Sequence, residues 1–512
     1  MLKRILALVL AMLTALTLFA CSDPAGNEQT ADPGQAITIS KSTGGNPIGG
    51  FDADGNLVYG GDPSVMIDGD TLYLYVGHDT APNESYVIPE YLCYSTKDMV
   101  TWTYEGVVLS MSNVSWADRN SAWAGQVAKY HDKYYFYYCS WDKTDGGKQS
   151  IGVAVADDPK GPFVDIGQSL VKGSFTANQT SNWNDIDPTV WIETDEQGVE
   201  HRYLSWGNGK LYVCELNEDM ISVKDYNGDG KITFGADVKE KGAPQFFTEA
   251  PWIYRRQDEY GKYYGPYYLF YAYGWREQMA YATTDHLMDG TYTFQDIIME
   301  PSATSNTNHM AVFDFLGKTW FIYHNGSLPK GSGFRRVACI QELKFEEDGS
   351  VPYLEETATG AFGTISKLTT LKGDVLAHEH YNNSPADTEY PYTNVALGSN
   401  FRGQVTYDTY WEIVPGKYDP TRDSYVSIES YNKAGLYVSY GATKAYMSQD
   451  HDGKQAAQQT FKTVMGLAGK GVSFECIGKP GMYLSIVDGK ATLTDGSDPQ
   501  ACTFLIETVT AD

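Results

Sequence analysis

The sequence predicts an all-β protein, a five-bladed β-propeller followed by a β-trefoil-like domain. Three observations carry this. Between residues 60 and 350, pairs of Tyr- and Val-rich runs joined by short polar turns recur as hairpins at a spacing of about 62 residues. Helix-period stretches are nearly absent from that region. From about residue 380 the rhythm gives way to a shorter repeat, VSIESYNKAGLYV at 426–438 and VSFECIGKPGMYL at 472–484.

The chain opens on Lys3 and Arg4, then a charge-free run from Ile5 to Ala20 that is apolar except for Thr14 and Thr17. This is the pattern of a signal peptide over residues 1–20, too short and too unevenly flanked for a membrane span. Cys21 directly follows the small Ala20 and resembles a bacterial lipobox cysteine, which implies its lipidation. The expected location is therefore the bacterial cell surface or periplasm, lipid-anchored, or secreted if the lipobox is not used. Residues 21–36 have no apolar periodicity and read as a flexible tether.

Composition excludes some function classes. Sixty-five acidic against 38 basic residues give a net charge of −27, which repels phosphate backbones and anionic membranes, so nucleic acid is not an expected partner. Membrane contact is expected only through the lipid anchor, and the protein is expected to be a monomer. Aromatics reach 14%, and their flat amphipathic rings suit both sheet surfaces and stacking on sugars. The six cysteines after Cys21 show no metal-ligand spacing and read as buried thiols.

The hairpin turns fall at Asp68-Gly69-Asp70, His131-Asp132-Lys133, Asp195 to Gly198, Asp258 to Lys262, and Leu316-Gly317-Lys318. Aligning the strands on Val65, Val127, Val190, Trp252 and Val312 sets their starts at Asp62, Ala124, Asp187, Glu249 and His309. Units this small cannot bury their own apolar faces, and closure of five of them into a propeller over residues 37–375 leaves no long exposed edge. Equivalent positions then converge at one mouth of the channel. Acids and prolines also simply start strands, but three acids at one repeat period favour a shared site. Carboxylates so grouped repel, which raises at least one pKa and provides both an acid and a base.

The segments GGDPSVMIDGDTLYLYVGHD (60–79), NDIDPTVWIETD (184–195), LSWGNGKLYV (204–213), FTEAPWIYRR (247–256) and the stretch from Asn306 to Phe345 resemble glycoside hydrolase family 43. Within it they resemble the arabinoxylan arabinofuranohydrolases. The resemblance implies a five-bladed propeller that hydrolyses glycosides with inversion. It also implies Asp62 as general base, Glu249 as general acid, and Asp187 as the carboxylate that orients the acid and tunes its pKa. Inversion needs one protonated carboxyl and one ionised carboxylate about 6.5–9.5 Å apart across the sugar. Glu249, beside Phe247, Pro251 and Trp252, has the more apolar setting, which favours the protonated form.

Glu277 matches a family acid next to the site, read as a contact to sugar hydroxyls or to the catalytic acids, and Arg336 matches an arginine that reaches the site. Trp123 and Trp206 are candidate stacking platforms, although tryptophan in a β-rich chain is more often core. Asp185 is expected to cap the loop before Asp187. No cofactor is expected for the chemistry. His309 matches the place where the family often carries an axial cation, commonly calcium. Asp225, Asn227 and Asp229 copy the first half of a calcium-binding loop, although Ala236 stands where such a loop has its glutamate.

The C-terminal repeats place a β-trefoil-like domain at 385–512, each copy ending in a Thr-aromatic pair: Thr409-Tyr410, Thr460-Phe461 and Thr503-Phe504. The two clear copies resemble the arabinose-binding carbohydrate-binding module family 42. The histidine and aspartate of that family's sugar lobes are replaced by Tyr440 and Ile486, and by Gln458-Gln459 and Gln500. The expected function is an inverting α-L-arabinofuranosidase that removes side chains from arabinoxylan or arabinan. A β-D-xylosidase acting on xylo-oligosaccharides and a non-catalytic surface glycan-binding lipoprotein are the alternatives.

Overall fold

The computed structural model describes residues 31–379 and 395–510, apart from 174 and 178. The signal peptide and Cys21 lie outside the described residues. Five blades surround one axis, as expected. The first comprises Gly60–Asp68, Thr71–His78, Glu90–Thr96 and Thr103–Ser110, paired in that order. The second, third and fourth are likewise four-stranded and start with Gly125–Tyr130, Thr189–Thr194 and Phe247–Gln257. The fifth contains Ala311–Phe315, Lys318–Asn325 and Val337–Leu343. Its outer edge is extended by Ile48, whose N–H donates to Ala338 O (2.9 Å), so chain preceding the first blade covers the last blade's edge.

Alternation explains the blades. In Lys133–Asp142 and Tyr263–Tyr273 both faces are buried over 134–140 and 267–272, so these stretches read as nearly continuous aromatics. The Leu316-Gly317 turn has positive φ at both residues, as a two-residue hairpin requires. The first strands touch around the axis. Val190 N–H donates to Gln126 Oε1 (2.6 Å), and Ile253 N–H to Thr189 Oγ1 (3.3 Å).

These last contacts correct the sequence register by one residue. Ile253, not Trp252, occupies the place of Val190, and the repeated dipeptides are Asp62-Pro63, Asp187-Pro188 and Ala250-Pro251. Asp62, Asp187 and Ala250 share a left-handed backbone with φ of 53°, 59° and 55°. Glu249 stands one residue earlier, on a strand that bulges between Glu249 and Trp252 as the first blade's inner strand does between Gly61 and Ser64.

The C-terminal domain is a β-trefoil. Six strands close a barrel: Ile365–Thr370, Tyr410–Pro415, Tyr425–Ser430, Phe461–Met465, Val472–Cys476 and Phe504–Val509 each pair with the next, and the last pairs with the first. Three hairpins cap it, Ala377–His378 with Val395–Gly398, Leu436–Tyr440 with Ala445–Gln449, and Tyr483–Val487 with Lys490–Thr494.

Three boundary expectations change. Ile365–Thr370 and Ala377–His378 lie within or close to the stretch expected to end the propeller, yet they form the trefoil's first lobe. Trp411, not Tyr410, holds the register of Phe461 and Phe504, opposite Ser430 as they are opposite Cys476 and Thr370. The last residues of the expected tether pack on the trefoil, where Gly34 N–H donates to Met465 O (2.9 Å) and Ala36 bridges Val464. Ile37 beyond them is buried in the trefoil core. The six cysteines from Cys93 to Cys502 are buried and free.

Candidate active site

Asp62, Asp187 and Glu249 all line one pocket of about 410 Å³ at a mouth of the propeller channel. The first two sit on left-handed residues that open their blades. Such a backbone costs a non-glycine residue of order 1–3 kcal/mol and re-aims the side chain away from the strand's alternation.

Arg336 fixes Asp62. Its Nη1 donates to Asp62 Oδ1 (2.7 Å), while its backbone N–H and Nε both donate to Asp79 Oδ2 and its Nη2 to Asp79 Oδ1 (all 2.9 Å). The guanidinium lies against Gly61, where a Cβ would come 2.2 Å from Cζ, so glycine is required there. Burial pushes the Asp62 carboxyl up, but the Arg336 charge and hydrogen bond together with the nearby His324 and His309 outweigh it and hold the group below its ordinary value. Asp62 N–H also donates to His324 Nδ1 (3.2 Å), whose Nε2 faces Thr307 O at 2.9 Å. Burial pushes His324 down to about 3, so the ring is neutral with its proton on Nε2.

Asp187 Oδ2 accepts from the N–H of Ala250 (2.9 Å), and Asp187 N–H points at Cys139 Sγ (3.5 Å). Burial and then the Glu249 and Asp62 charges raise Asp187 well above the usual carboxylate range. Glu249 Oε2 accepts from Asn208 Nδ2 (2.6 Å). Its pKa is pushed up to about 7 by burial, opposed by the Asn208 hydrogen bond and reinforced by the Asp62 charge. Glu277 is buried beside it, accepts from Asn308 N–H (2.7 Å), and is raised well above its ordinary value by burial and the Glu249 charge. The site thus holds one carboxylate kept ionised by a cation and a buried group of acids that keep protons toward neutral pH.

The aromatic lining differs from expectation. Trp123 faces the pocket, but Trp206 is buried between strands, its Nε1 donating to Asp185 Oδ1 (2.7 Å) and its ring stacked on Tyr212. Trp206 is therefore core and not a sugar platform. Asp185 also accepts from Thr176 Oγ1 (2.8 Å) and Gln179 Nε2 (2.6 Å) of the preceding loop, and burial pushes it up to about 6. Tyr86, Trp183 and Trp275, which sequence reading missed, line the pocket, and Trp275 is 71% exposed at its rim. Rings continue from Phe334 through Tyr86, Trp123 and Trp141 to Trp183 with centroid steps of 4.7–6.5 Å.

Residues 58–351 match the model of glycosyl hydrolases family 43, and residues 380–503 match that of the alpha-L-arabinofuranosidase B domain. The chain belongs to glycosyl hydrolase family 43. It is a glycosidase with a C-terminal arabinofuranosidase-B-type domain. A xylosidase/arabinosidase of Bacteroides ovatus is 29% identical over 337 residues, 58% of this chain and 95% of the relative. An arabinoxylan arabinofuranohydrolase of Paenibacillus polymyxa is 26% identical over 413 residues, 74% of this chain and 61% of the relative. Among solved structures, a family-43 β-xylosidase/α-arabinofuranosidase from a compost metagenome, in complex with xylotriose and in a calcium-free form, superposes with a TM-score of 0.50. It is 24% identical, with 62% of this chain and 98% of that one covered, and it shares the fold.

Of the two metal expectations the 225–231 loop does not fit, while His309 is a single neutral donor of the kind a hydrated cation would use. Among the described residues no three His, Cys, Asp or Glu side chains converge as ligands. His309 is buried with its Nδ1 4.0 Å from Asp187 Oδ2, and burial pushes it down to about 4. In the 225–231 loop the side-chain oxygens are turned onto loop amides. Asp225 accepts from Gly228 and Gly230 (both 2.7 Å), Asn227 from Asp229 (3.0 Å), and Asp229 from Lys231 (2.8 Å). These are Asx turns of a tight loop, and no step below uses a metal.

Proposed function

We propose that this family-43 glycosidase is an inverting α-L-arabinofuranosidase acting on side chains of arabinoxylan or arabinan. The observation that carries the mechanism is the opposed protonation of two carboxyls in one pocket, Asp62 held ionised by Arg336 and Glu249 held near 7 by burial. Asp62 takes a proton from water as the water attacks the anomeric carbon, and Glu249 gives its proton to the departing glycosidic oxygen. Asp187 holds the backbone next to Glu249 and sets the orientation of the acid. Glu277 and Arg336 line the same pocket and contact sugar hydroxyls.

Arabinose is favoured by the C-terminal arabinofuranosidase-B-type domain and by the names of relatives such as the Paenibacillus enzyme. A β-xylosidase is the second reading, supported by relatives named xylosidase/arabinosidase and β-xylosidase. Proton NMR of the first-formed sugar on arabinoxylan, arabinan and xylo-oligosaccharides tests both. β-L-Arabinose from α-linked side chains is expected. Xylose alone would select the second reading, and retained configuration would refute inversion. We further propose anchoring through lipidated Cys21 at the cell surface or in the periplasm, checked by the mass of the N-terminal peptide of membrane-extracted protein.

A further inference from the structure

The loop from Gly326 to Arg335 leaves the fifth blade just after His324 and ends at Arg336, so both groups that touch Asp62 flank it. Within the loop the hydrogen bonds are local, such as Ser332 N–H to Arg335 O (3.1 Å). Much of what holds it from outside comes from the trefoil. Gln449, buried at the end of the second lobe's hairpin, donates from Nε2 to Gly326 O (2.8 Å) and Gly331 O (3.0 Å). Lys330 N–H donates to Asp450 O (2.7 Å). Gly435 of the same lobe, at φ 85°, lies so close that a Cβ would come 2.6 Å from Ser327 Cα.

The two carbonyls share the one Gln449 amide, and the loop folds tightly there, since a Cβ on Gly331 would lie 2.1 Å from Gly326 O. Carbonyl dipoles brought together in a dry site repel unless a donor stands between them. The far end of the loop carries the consequence. Phe334 packs on Tyr86 at a centroid distance of 4.7 Å, Tyr86 covers the Arg336 guanidinium at 5.2 Å, and Arg335 pairs with Glu84 at 3.1 Å.

We infer that the trefoil is a brace for the active site, and that Gln449 is a positioning residue that acts on Asp62 through the Gly326–Arg336 loop. The second lobe's hairpin is thereby committed to the propeller. This rests on the reading of Asp62 as the base that Arg336 keeps ionised.

The test uses the full chain and a 4-nitrophenyl monosaccharide, α-L-arabinofuranoside or β-D-xyloside, whichever the wild type cleaves, because so small a substrate needs no sugar site on the trefoil. Gln449→Met keeps the volume and removes the donors. It is expected to lower kcat about 10-fold and to move the acidic limb of the kcat/KM profile upward as Arg336 loosens from Asp62. Gln449→Lys, which restores a donor, is expected to recover part of both. A folded Gln449→Met with wild-type kcat and acidic limb overturns the proposal, as does a lowered Tm with both unchanged. If the Met variant does not fold, Gln449→Asn, which shortens the amide's reach, is held to the same two outcomes. Asp62→Asn run alongside separates the two ideas, because retained activity there would remove the base assignment itself.

Discussion

Asp187 accepts a hydrogen bond from the backbone N–H of Ala250, the residue directly after Glu249, at 2.9 Å. The carboxyl thereby ties one blade to the bulge that presents the neighbouring acid. Asp187→Asn keeps an acceptor for that N–H but removes the titratable proton, whereas Asp187→Ala removes both. Both are expected to lower turnover by about 10²–10⁴-fold. Only the Ala variant is expected to lower Tm, by leaving a buried N–H unpaired. Steady-state kinetics with thermal melts check the pair, and an active Asn variant would mean that the Asp187 proton plays no part.

The pH profile follows from two carboxyls displaced in opposite directions. Asp62 must be ionised and lies below its ordinary value, so kcat/KM is expected to rise with pH on the acid side and to be complete by about pH 5. Glu249 must be protonated, and activity is expected to fall as pH rises through about 7. Glu249→Gln should abolish that basic limb and cost about 10²–10⁴-fold on natural glycosides. It should cost far less on aryl glycosides whose leaving group needs no proton. Near-wild-type rates on a natural substrate would shift the acid role to Glu277.

The two tryptophans separate platform from core. Trp275 is exposed at the rim, in the turn that carries Glu277, and lines the same pocket as Glu249. Trp275→Ala is expected to cut kcat/KM on arabinoxylan oligosaccharides about 5- to 30-fold through lost stacking. The rate on a monosaccharide aryl glycoside should change by less than about 2-fold. Trp206→Ala should instead destabilise by about 3–5 kcal/mol, because it empties a buried site and strips Asp185 Oδ1 of the Trp206 donor. Equal losses on both substrates for Trp275→Ala would count against a platform.

Hairpin rhythm was enough to read the blades, because both faces of a blade are buried and the turns interrupt long apolar runs. Register at the fourth blade was missed by one residue, since a bulge does not disturb the apolar pattern that marked Trp252. The proline of Ala250-Pro251, matching Pro63 and Pro188, was the better guide. Trp206 was misread because alternation does not tell a blade's packed face from the channel mouth. Asp79 had a usable signal in the buried arginine itself, which needs more than one carboxylate to stay charged. The start of the trefoil's first lobe was hidden because its strand at Ile365–Thr370 shares little of the later repeats and Trp411 replaces their phenylalanine.

The contact between the two domains should make stability depend on pH. Glu412, on the trefoil barrel, is buried against the segment leading into the propeller, where Ser42 Oγ donates to its Oε1 (2.5 Å). Gly45 and Gly363 close over it, and a Cβ on either would come within 2.6 Å of that oxygen. Burial, and then the Glu429 charge, push Glu412 up to about 8. The folded state therefore keeps a proton that the unfolded chain releases near 4.5. Stability from this group is complete below about 4.5 and is lost as pH rises toward 8, by up to about 1.4 kcal/mol per pH unit. Glu412→Gln has no such proton to lose and can still accept from Ser42. Its Tm is expected to exceed that of the wild type at pH 8.5 and to converge with it near pH 4.5. A constant Tm difference across that range would show that the carboxyl does not titrate between the two states, and that its burial is offset by contacts other than the proton.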